Sequence, residues 1–269
     1  VEGIIQPIGH TKDDAVGPAG SVWSSIDDMS KWMRCMLDSS KYSGGRLLTA
    51  NTWSEMFKPQ TLVPRSEFYP TMTIIKPNWM SYSLGWFQHD YKGRKINYHT
   101  GSLSGLVAMH AQLPDEKLGI YVFGNLDHAE VRHALVYKTF DLFALGGSRD
   151  WSIEFKKLYD GLREKSEQAE KDFEAKRVNG TKPSHALNDY AGKYTHDVLG
   201  EIDVAVVQDA LQINMNNTIK ASLQHWHYDM FRGWFEKKWY GKINVQFENG
   251  GDGKVNYLLF GDEKFARAK

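Results

Sequence analysis

The sequence predicts an α+β protein in which an antiparallel sheet with flanking helices is followed by a small all-β domain. Residues 1–147 mix helix-period apolar stripes with strand-like runs joined by short turns, whereas residues 184–269 show only a period of two. A charged, helix-like stretch and a linker lie between these regions. We therefore predict three segments: residues 1–147, a connector over residues 148–183, and residues 184–269.

The first segment opens with two predicted helices. A pair of serines precedes an acidic turn, and apolar residues then recur at helical spacing, which predicts a helix over Asp27–Leu37. Thr49 is placed to cap a second, short helix. Residues 60–80 hold three prolines and no period, so we predict a long ordered loop there.

Four strand-like runs follow, joined by short connections that predict an antiparallel meander. They are Tyr82–His89, Arg94–His99, Leu106–Leu113 and Leu118–Phe123. A closing helix is expected over Ala129–Leu145. We expect four of its apolar side chains to face the sheet, namely Val131, Leu135, Leu142 and Phe143.

The remaining chain divides into a helical connector and a β region. Residues 151–178 are densely charged and are predicted to form a solvated helix, and Val178–Pro183 has the composition of a linker. Beyond it, apolar residues alternate in short runs separated by turn residues, which indicates a small barrel or sandwich. The runs begin at Ile202, Leu211, Ile243 and Val255.

Composition excludes several classes of function. The formal net charge is zero, so no nucleic acid or anionic membrane surface is indicated as a partner. No run of 18 apolar residues is present, so no membrane span is predicted. The single cysteine, Cys35, excludes an intrachain disulfide and is expected to be a buried, inert thiol.

Three stretches in order carry a family resemblance. The first is Gly17–Met29, in which a Gly-rich turn precedes Ser-Ser-Ile-Asp-Asp-Met. The second is Tyr82–Trp86, which reads Tyr-Ser-Leu-Gly-Trp, and the third is His99–Gly101, which reads His-Thr-Gly. The set resembles the serine β-lactamase-like family, especially its class C β-lactamase, esterase and penicillin-binding branch, with His-Thr-Gly as a variant of the Lys-Thr-Gly third box. The resemblance covers roughly residues 1–147 and implies the C-terminal half of that catalytic domain.

The third segment carries a second resemblance. Leu187–Tyr194 and Leu223–Phe231 are similar to stretches of the lipocalin-like β-barrel domain that is appended to some of these proteins. Residues 184–269 are therefore expected to form such a barrel.

The chemistry that this resemblance implies is acyl transfer through a serine acyl-enzyme, which requires Ser-x-x-Lys and a second box such as Tyr-x-Asn. Neither pattern occurs in the sequence. Because the chain starts at Val1 without Met, we expect a C-terminal fragment of a serine hydrolase that is inactive alone. A natural half-protein that never acylates is the alternative. Family habit implies a periplasmic or secreted location, with the cytoplasm as the alternative.

The resemblance assigns roles to the third box. His99 takes the Lys position and faces the substrate with a hydrogen bond or an adjustable charge. Thr100 donates to the substrate, and the N–H of Ser102 forms half of an oxyanion hole. Gly101 and Ser104 belong to the substrate-binding surface, because a glycine lets the substrate approach the strand.

Partners follow from the same resemblance. The parent substrate is a small acyl compound, either a β-lactam, an ester or a D-amino-acid peptide. The uncovered face of the sheet is expected to meet the missing N-terminal half or a second copy of the chain. The competing hypothesis is a non-catalytic binding module that uses the barrel or the half-cleft.

No cofactor is implied. His225-x-His227-x-Asp229 places three metal-ligand side chains in one strand, but aromatic residues intervene, and we assign these residues a structural or pocket-lining role with no metal.

Overall fold

The computed structural model describes residues 4–9 and 17–268. The expectation about the chain start at Val1 concerns a residue outside this range. The chain divides into two compact units, one within residues 7–167 and one that joins residues 168–268 with residues 4–6. We call them the N-terminal unit and the barrel unit. The predicted segment boundaries at residues 147 and 183 stay predictions.

The N-terminal unit combines helices with two sheets. The helices are α1 (Gly17–Gly20), α2 (Ile26–Leu37), α3 (Ala50–Met56), α4 (Met72–Ile75) and α5 (Val131–Phe140). The strands are β1 (Lys41–Tyr42), β2 (Gly45–Arg46), β3 (Thr61–Leu62), β4 (Met80–Tyr82), β5 (Phe87–Tyr91), β6 (Arg94–Leu103), β7 (Leu106–Leu113) and β8 (Leu118–Gly124). Strands β3 to β8 form one antiparallel sheet in chain order, which confirms the predicted meander.

The helix starts follow the expected capping chemistry. The Ser25 side chain accepts a hydrogen bond from the Asp28 N–H at the start of α2, and Thr49 does the same for Thr52 at the start of α3. The predicted loop of residues 60–80 contains β3, a 3₁₀ turn and α4. Cys35 is buried on α2, as expected.

Two of the predicted strands have different bounds in the structure. The prediction of one strand over Tyr82–His89 is wrong, because the chain turns between β4 and β5. The Ser83 N–H and hydroxyl both donate to the Trp86 carbonyl, and Gly85 has a φ of +82°. In contrast, the strand predicted to end at His99 continues to Leu103 and turns only at Ser104 and Gly105.

Helices cover both faces of this sheet. Because Met109 and His110 are consecutive in β7, their side chains point to opposite faces. Met109 packs in the core with Ala134, Val136, Tyr137 and Phe140 of α5. His110 contacts Met33 of α2.

The predicted inward face of the closing helix is wrong. Val131, Leu135, Leu142 and Phe143 are exposed. Instead, α5 buries a polar pair, Arg132 and His133, beside its apolar residues. A prediction from apolar periodicity places charged residues outward. In α5 the Arg132 side chain instead points inward, because it donates a hydrogen bond to Thr100 on the sheet. The chain past α5 forms one turn of π-helix over Asp141–Leu145.

The barrel unit is a closed barrel of eight strands. A long helix, α6 (Trp151–Ala175), crosses the boundary between the units, and α7 (Leu187–Tyr190) precedes the barrel. The strands are β9 (Gly192–His196), β10 (Gly200–Val207), β11 (Ala210–Met215), β12 (Ile219–His227), β13 (Met230–Phe235), β14 (Lys242–Asn249), β15 (Val255–Phe260) and β16 (Glu263–Arg267). They pair antiparallel in chain order, and β16 pairs with β9. This closed topology confirms the predicted barrel and excludes the sandwich for this unit.

The barrel interior is packed with side chains. The alternation that the sequence indicated is buried in it at Ile202, Leu211 and Ile243. In β15 the strict alternation from Val255 is wrong, because the second buried residue is Leu258 and not Tyr257 or Leu259. Outside, the last turns of α6 pack on β12 and β13. Arg232 lies over the rings of Phe173 and Trp226, and pairs with Glu170 and Glu174.

Candidate functional site

The third box lies on a strand that has a neighbour on only one side. Pairing between β5 and β6 stops at Phe87 and Tyr98, whereas pairing between β6 and β7 continues to Leu103 and Leu106. Residues 99–103 therefore form an open edge among the described residues. Because the two-residue turn closes on a hydrogen-bonded pair at Leu103, the backbone groups of Thr100 and Ser102 point toward the open side.

A cleft of about 760 Å³ lies beside this edge. Its floor is formed by β6, β7 and β8, and its wall by the segment that leads into α2. The floor includes His99, Gly101, Ala108, His110, Tyr121 and Phe123, and the wall includes Gly20, Val22, Trp23, Ser24 and Met29. The shape and lining are those of a small-molecule site, mostly apolar with a few polar groups.

His99 lies at the end of the cleft where β5 begins. Its Nε2 is 3.2 Å from the Tyr82 hydroxyl, and its ring stacks on Phe87 with 5.3 Å between ring centroids. This partial burial lowers the pKa of His99 below its ordinary value, and a backbone hydrogen bond at Thr100 opposes the shift only in part. At neutral pH the imidazole is therefore mainly neutral, so it offers a hydrogen bond and not a fixed charge.

Thr100 points to the opposite face of β6 and is buried. Its hydroxyl donates to the Ala108 carbonyl at 2.8 Å and accepts from Arg132 Nε at 3.0 Å. The hydroxyl proton is thus engaged within the protein. Donation from Thr100 to a substrate stays a prediction, and it requires the hydroxyl to give up its hydrogen bond to the Ala108 carbonyl. The Thr100 backbone, in contrast, lies at the open edge.

Gly101, Ser102 and Ser104 lie at the open end of β6. A Cβ built on Gly101 would meet no atom within 4 Å, so the missing side chain corresponds to open space. Ser102 is exposed and its N–H belongs to the open edge. Ser104 occupies the tight turn together with Gly105, whose φ is +81°. Their assigned roles stay predictions.

Sequence reasoning missed two residues of this region, Arg132 and His110. Arg132 is 3% exposed, and its Nη2 lies 3.4 Å from Glu130 Oε2, so the Glu130 carboxylate compensates the buried guanidinium charge. It anchors the third box from α5, 32 positions along the chain from Thr100. No local pattern marks such a residue, because only the packing of α5 on the sheet brings the two together.

His110 is the cross-strand partner of His99. Its Nε2 lies 3.1 Å from Met33 Sδ and 3.0 Å from Gln112 Nε2, and its ring packs on Tyr121. Burial, with a smaller contribution from His99, lowers the pKa of His110 to about 3. This histidine is therefore neutral and supports the floor of the cleft.

The histidines of β12 do not converge on a metal site. His225 Nε2 contacts the Tyr228 carbonyl, His227 Nδ1 accepts from the Val178 N–H, and Asp229 accepts from Ser184 and Tyr190. A bulge between His225 and His227 also breaks their common register. Within the described ranges, no group of three or more His, Cys, Asp or Glu side chains is arranged to hold a metal ion.

Comparison with known proteins places the sheet and the cleft in a family. Residues 4–140 match the family model described as Beta-lactamase, which covers just over half of the chain. The chain belongs to the β-lactamase family. The barrel unit matches a different model over residues 176–266, described as a domain of unknown function, DUF3471. The β-lactamase family match thus confirms the resemblance carried by His-Thr-Gly and the two preceding stretches.

One curated relative is named as a hydrolase. The chain is 26% identical over 207 residues to "Unguisins hydrolase ungD" of Aspergillus violaceofuscus, an alignment that covers 71% of this chain. The chain spans about a third, 35%, of the length of that relative.

Solved structures show more distant likeness. The octameric penicillin-binding protein homologue from Pyrococcus abyssi is 17% identical, with a TM-score of 0.37 over 91% of this chain and 47% of that one. The crystal structure of SurE is also 17% identical, with a TM-score of 0.34 over 91% of this chain and 48% of that one. No helix within residues 4–9 and 17–268 has the length and apolar character needed to cross a bilayer.

Proposed function

We propose that this chain carries the substrate-binding wall of a serine hydrolase that works by acyl transfer. The observation that supports this most is the open edge of β6 beside a cleft of about 760 Å³. An extended acyl substrate can pair with the backbone groups of Thr100 and Ser102 there, as peptides pair with exposed strand edges elsewhere. The hydrolase named among the relatives supports the reaction class.

Each residue of the box has a defined part in this proposal. The Ser102 N–H donates to the oxyanion that forms during acyl transfer, and neutral His99 donates or accepts a hydrogen bond at the substrate. Gly101 leaves space for the substrate to lie against the strand. Ser104, in the following turn, borders the substrate. Thr100 contributes its backbone, while its side chain ties β6 to Arg132 and Ala108.

The proposal places the nucleophile on another polypeptide segment. No Ser-x-x-Lys or Tyr-x-Asn occurs in this sequence, so the chain on its own does not form an acyl-enzyme. The second half of an oxyanion hole is commonly the N–H of the nucleophile itself, and losing one such donor costs about 10² to 10³ in rate. Acylation therefore requires the N-terminal half of the catalytic domain, because a second copy of this chain would lack the same two patterns.

Exposed apolar side chains support such a partner. Val22 and Trp23 in the cleft wall are 83% and 66% exposed, and Phe123 in its floor is 44% exposed. Exposed apolar surface grouped around a cleft is typical of a surface that another chain segment covers. Light scattering of the purified chain should show self-association that disappears when the complementary segment is added. A monomer that binds no apolar dye would contradict this part of the proposal.

The test separates binding from chemistry. A fluorophosphonate probe should give no covalent adduct with the chain alone. Benzylpenicillin, a p-nitrophenyl ester and an acetylated D-alanyl-D-alanine peptide should be titrated against the ¹⁵N-labelled chain, and at least one should shift the Thr100 and Ser102 amides. A covalent adduct would contradict the missing nucleophile, and no shift with any probe would contradict the binding wall.

The alternative function is binding without chemistry, and one observation favours the cleft over the barrel as its location. The barrel interior is filled by buried side chains such as Leu211, Leu223 and Phe231, which leaves the cleft as the better site. An in-frame start codon at or near Val1 in the full reading frame would favour this alternative, whereas upstream Ser-x-x-Lys and Tyr-x-Asn would favour the hydrolase. A periplasmic or secreted location is part of the proposal and is tested by fractionation.

A further inference from the structure

The His99 ring is held by a hydrogen bond that crosses one strand. Tyr82 ends β4 and His99 lies on β6, and β5 is between them in the sheet. The Tyr82 hydroxyl is 3.2 Å from His99 Nε2. The two side chains can meet because the ladder ends at Phe87, which pairs with both Tyr82 and Tyr98, so His99 lies one residue beyond the last pair of β5 and β6.

Packing fixes the ring independently of this bond. The His99 ring stacks on Phe87 at 5.3 Å with 27° between the planes, and the Tyr82 ring packs edge-on against Phe87 at 4.5 Å. A phenylalanine in place of Tyr82 would keep these ring contacts and lose only the hydroxyl. The hydrogen bond can therefore be removed with little change to the packing.

The chemistry of the pair decides where the proton lies. A neutral imidazole has one N–H donor and one acceptor nitrogen, and a phenol has one proton to donate. The ionisable groups that face the ring are Tyr82 from β4 and His110 from β7, and burial keeps His110 neutral at pH 7. Nε2 can therefore serve as an acceptor for the Tyr82 proton.

We propose that Tyr82 is a positioning residue whose hydroxyl donates to His99 Nε2, which orients the imidazole and places its single proton on Nδ1. The third box then presents a neutral imidazole, where the Lys of the related box would present a charge. This inference rests on the proposed function only in giving His99 a role toward the substrate. The proton position itself is a property of the free chain.

The tautomer can be read directly. Long-range ¹H–¹⁵N spectra of the full chain, labelled at histidine, distinguish Nδ1–H from Nε2–H for each ring. At pH 7.5 the wild type should show His99 mainly as Nδ1–H. Tyr82→Phe should at least double the Nε2–H population, while the thermal midpoint stays close to that of the wild type.

Tyr121→Phe is the matched control, because the Tyr121 ring packs on His110 at 4.3 Å and not on His99. It should leave the His99 tautomer unchanged. An Nε2–H tautomer in the wild type, or identical His99 signals in Tyr82→Phe, would overturn the inference. The spectra need no ligand, so a failed probe titration would contradict the proposed function without affecting this result.

Discussion

The sheet of the N-terminal unit and the barrel are both antiparallel meanders, but they differ in how their edges are treated. In the barrel every strand has two neighbours, because β16 pairs with β9. In the sheet, β6 extends five residues beyond the last residue that β5 pairs with. Unpaired backbone groups at a strand edge are ready to pair with another chain or a ligand, so our proposal assigns recognition to the open edge and not to the closed barrel.

The two units also differ in their buried polar groups. Among its described residues, the N-terminal unit buries His89, His110 and His133, whereas all four histidines of the barrel unit are partly exposed. Burial lowers the pKa of His89 to about 4, and of His110 and His133 to about 3. A closed barrel can fill its interior with apolar side chains, but a unit built to support a cleft buries more polar groups.

The largest expected effect is a difference in acid sensitivity. A histidine whose pKa is lowered in the folded state stays neutral there, whereas the same histidine in the unfolded chain takes up a proton below about pH 6.5. Its contribution to the free energy of unfolding is therefore present above that pH, and it is lost as the pH falls toward the folded pKa. At pH 5 each buried histidine should cost about 2 kcal/mol relative to pH 7.5. Hydrogen exchange should show the N-terminal unit opening before the barrel as the pH falls.

His133→Leu is the control for the acid prediction. Neither ring nitrogen of His133 has a hydrogen-bond partner among the described residues, and Nε2 lies 3.5 Å from Glu130 Oε2. The substitution therefore removes a titrating group and this charge contact without breaking a hydrogen bond. Its N-terminal unit should lose less stability between pH 7.5 and 5 than that of the wild type. Equal acid sensitivity of the two units, or an unchanged slope in His133→Leu, would contradict the prediction.

The next effect concerns the packed barrel. Leu223→Ala removes a fully buried side chain from its interior and should lower the free energy of unfolding of the barrel unit by about 2–5 kcal/mol, measured by denaturant titration. Val207→Ala, at an exposed position that is 44% accessible, should cost less than about 1 kcal/mol. A small effect of Leu223→Ala would mean that the interior can relax around a cavity and could admit a ligand.

A smaller loss is expected where the third box is anchored. Thr100→Val removes the hydrogen bonds to Ala108 and from Arg132, leaves the buried guanidinium short of a partner, and should cost the N-terminal unit about 1–3 kcal/mol. In the barrel, Thr195→Val loses only a 3.4 Å contact at an exposed site and should change stability by less than about 0.5 kcal/mol. Similar values for both variants would contradict the anchoring role.

The smallest effect on stability is expected at Gly101. Its side-chain position is open and its φ lies outside the left-handed region, so Gly101→Val should change the free energy of unfolding by less than about 0.5 kcal/mol. It should nevertheless weaken binding of whichever acyl probe shifts Thr100 and Ser102 by about tenfold or more, or roughly 1.4 kcal/mol. Unchanged affinity would show that the ligand does not lie against this strand.

Gly105→Val is the contrasting variant. Its φ of +81° and a Cβ contact of 3.1 Å with Ile8 should make it destabilising, so a loss of binding there could not be assigned to the cleft.

The sequence predicted the features that depend on local chemistry. Helix caps at Ser25 and Thr49, the meander and the barrel alternation all follow from side-chain type and spacing. The turn at Gly85 and the true length of β6 were missed, since a run of strand-forming residues does not reveal where the backbone reverses. Arg132, His110 and Tyr82 reach the site only through sheet order and helix packing, which no single stretch records.

Amide hydrogen exchange along β6 tests the central claim most directly. In the free chain the Thr100 and Ser102 amides should exchange much faster than those of Gly101 and Leu103, while the barrel strands stay protected on both sides. Adding an acyl probe should slow exchange at Thr100 and Ser102 and leave the barrel unchanged. Equal protection at all four positions in the free chain, or protection by the probe in the barrel alone, would contradict an open recognition edge at the third box.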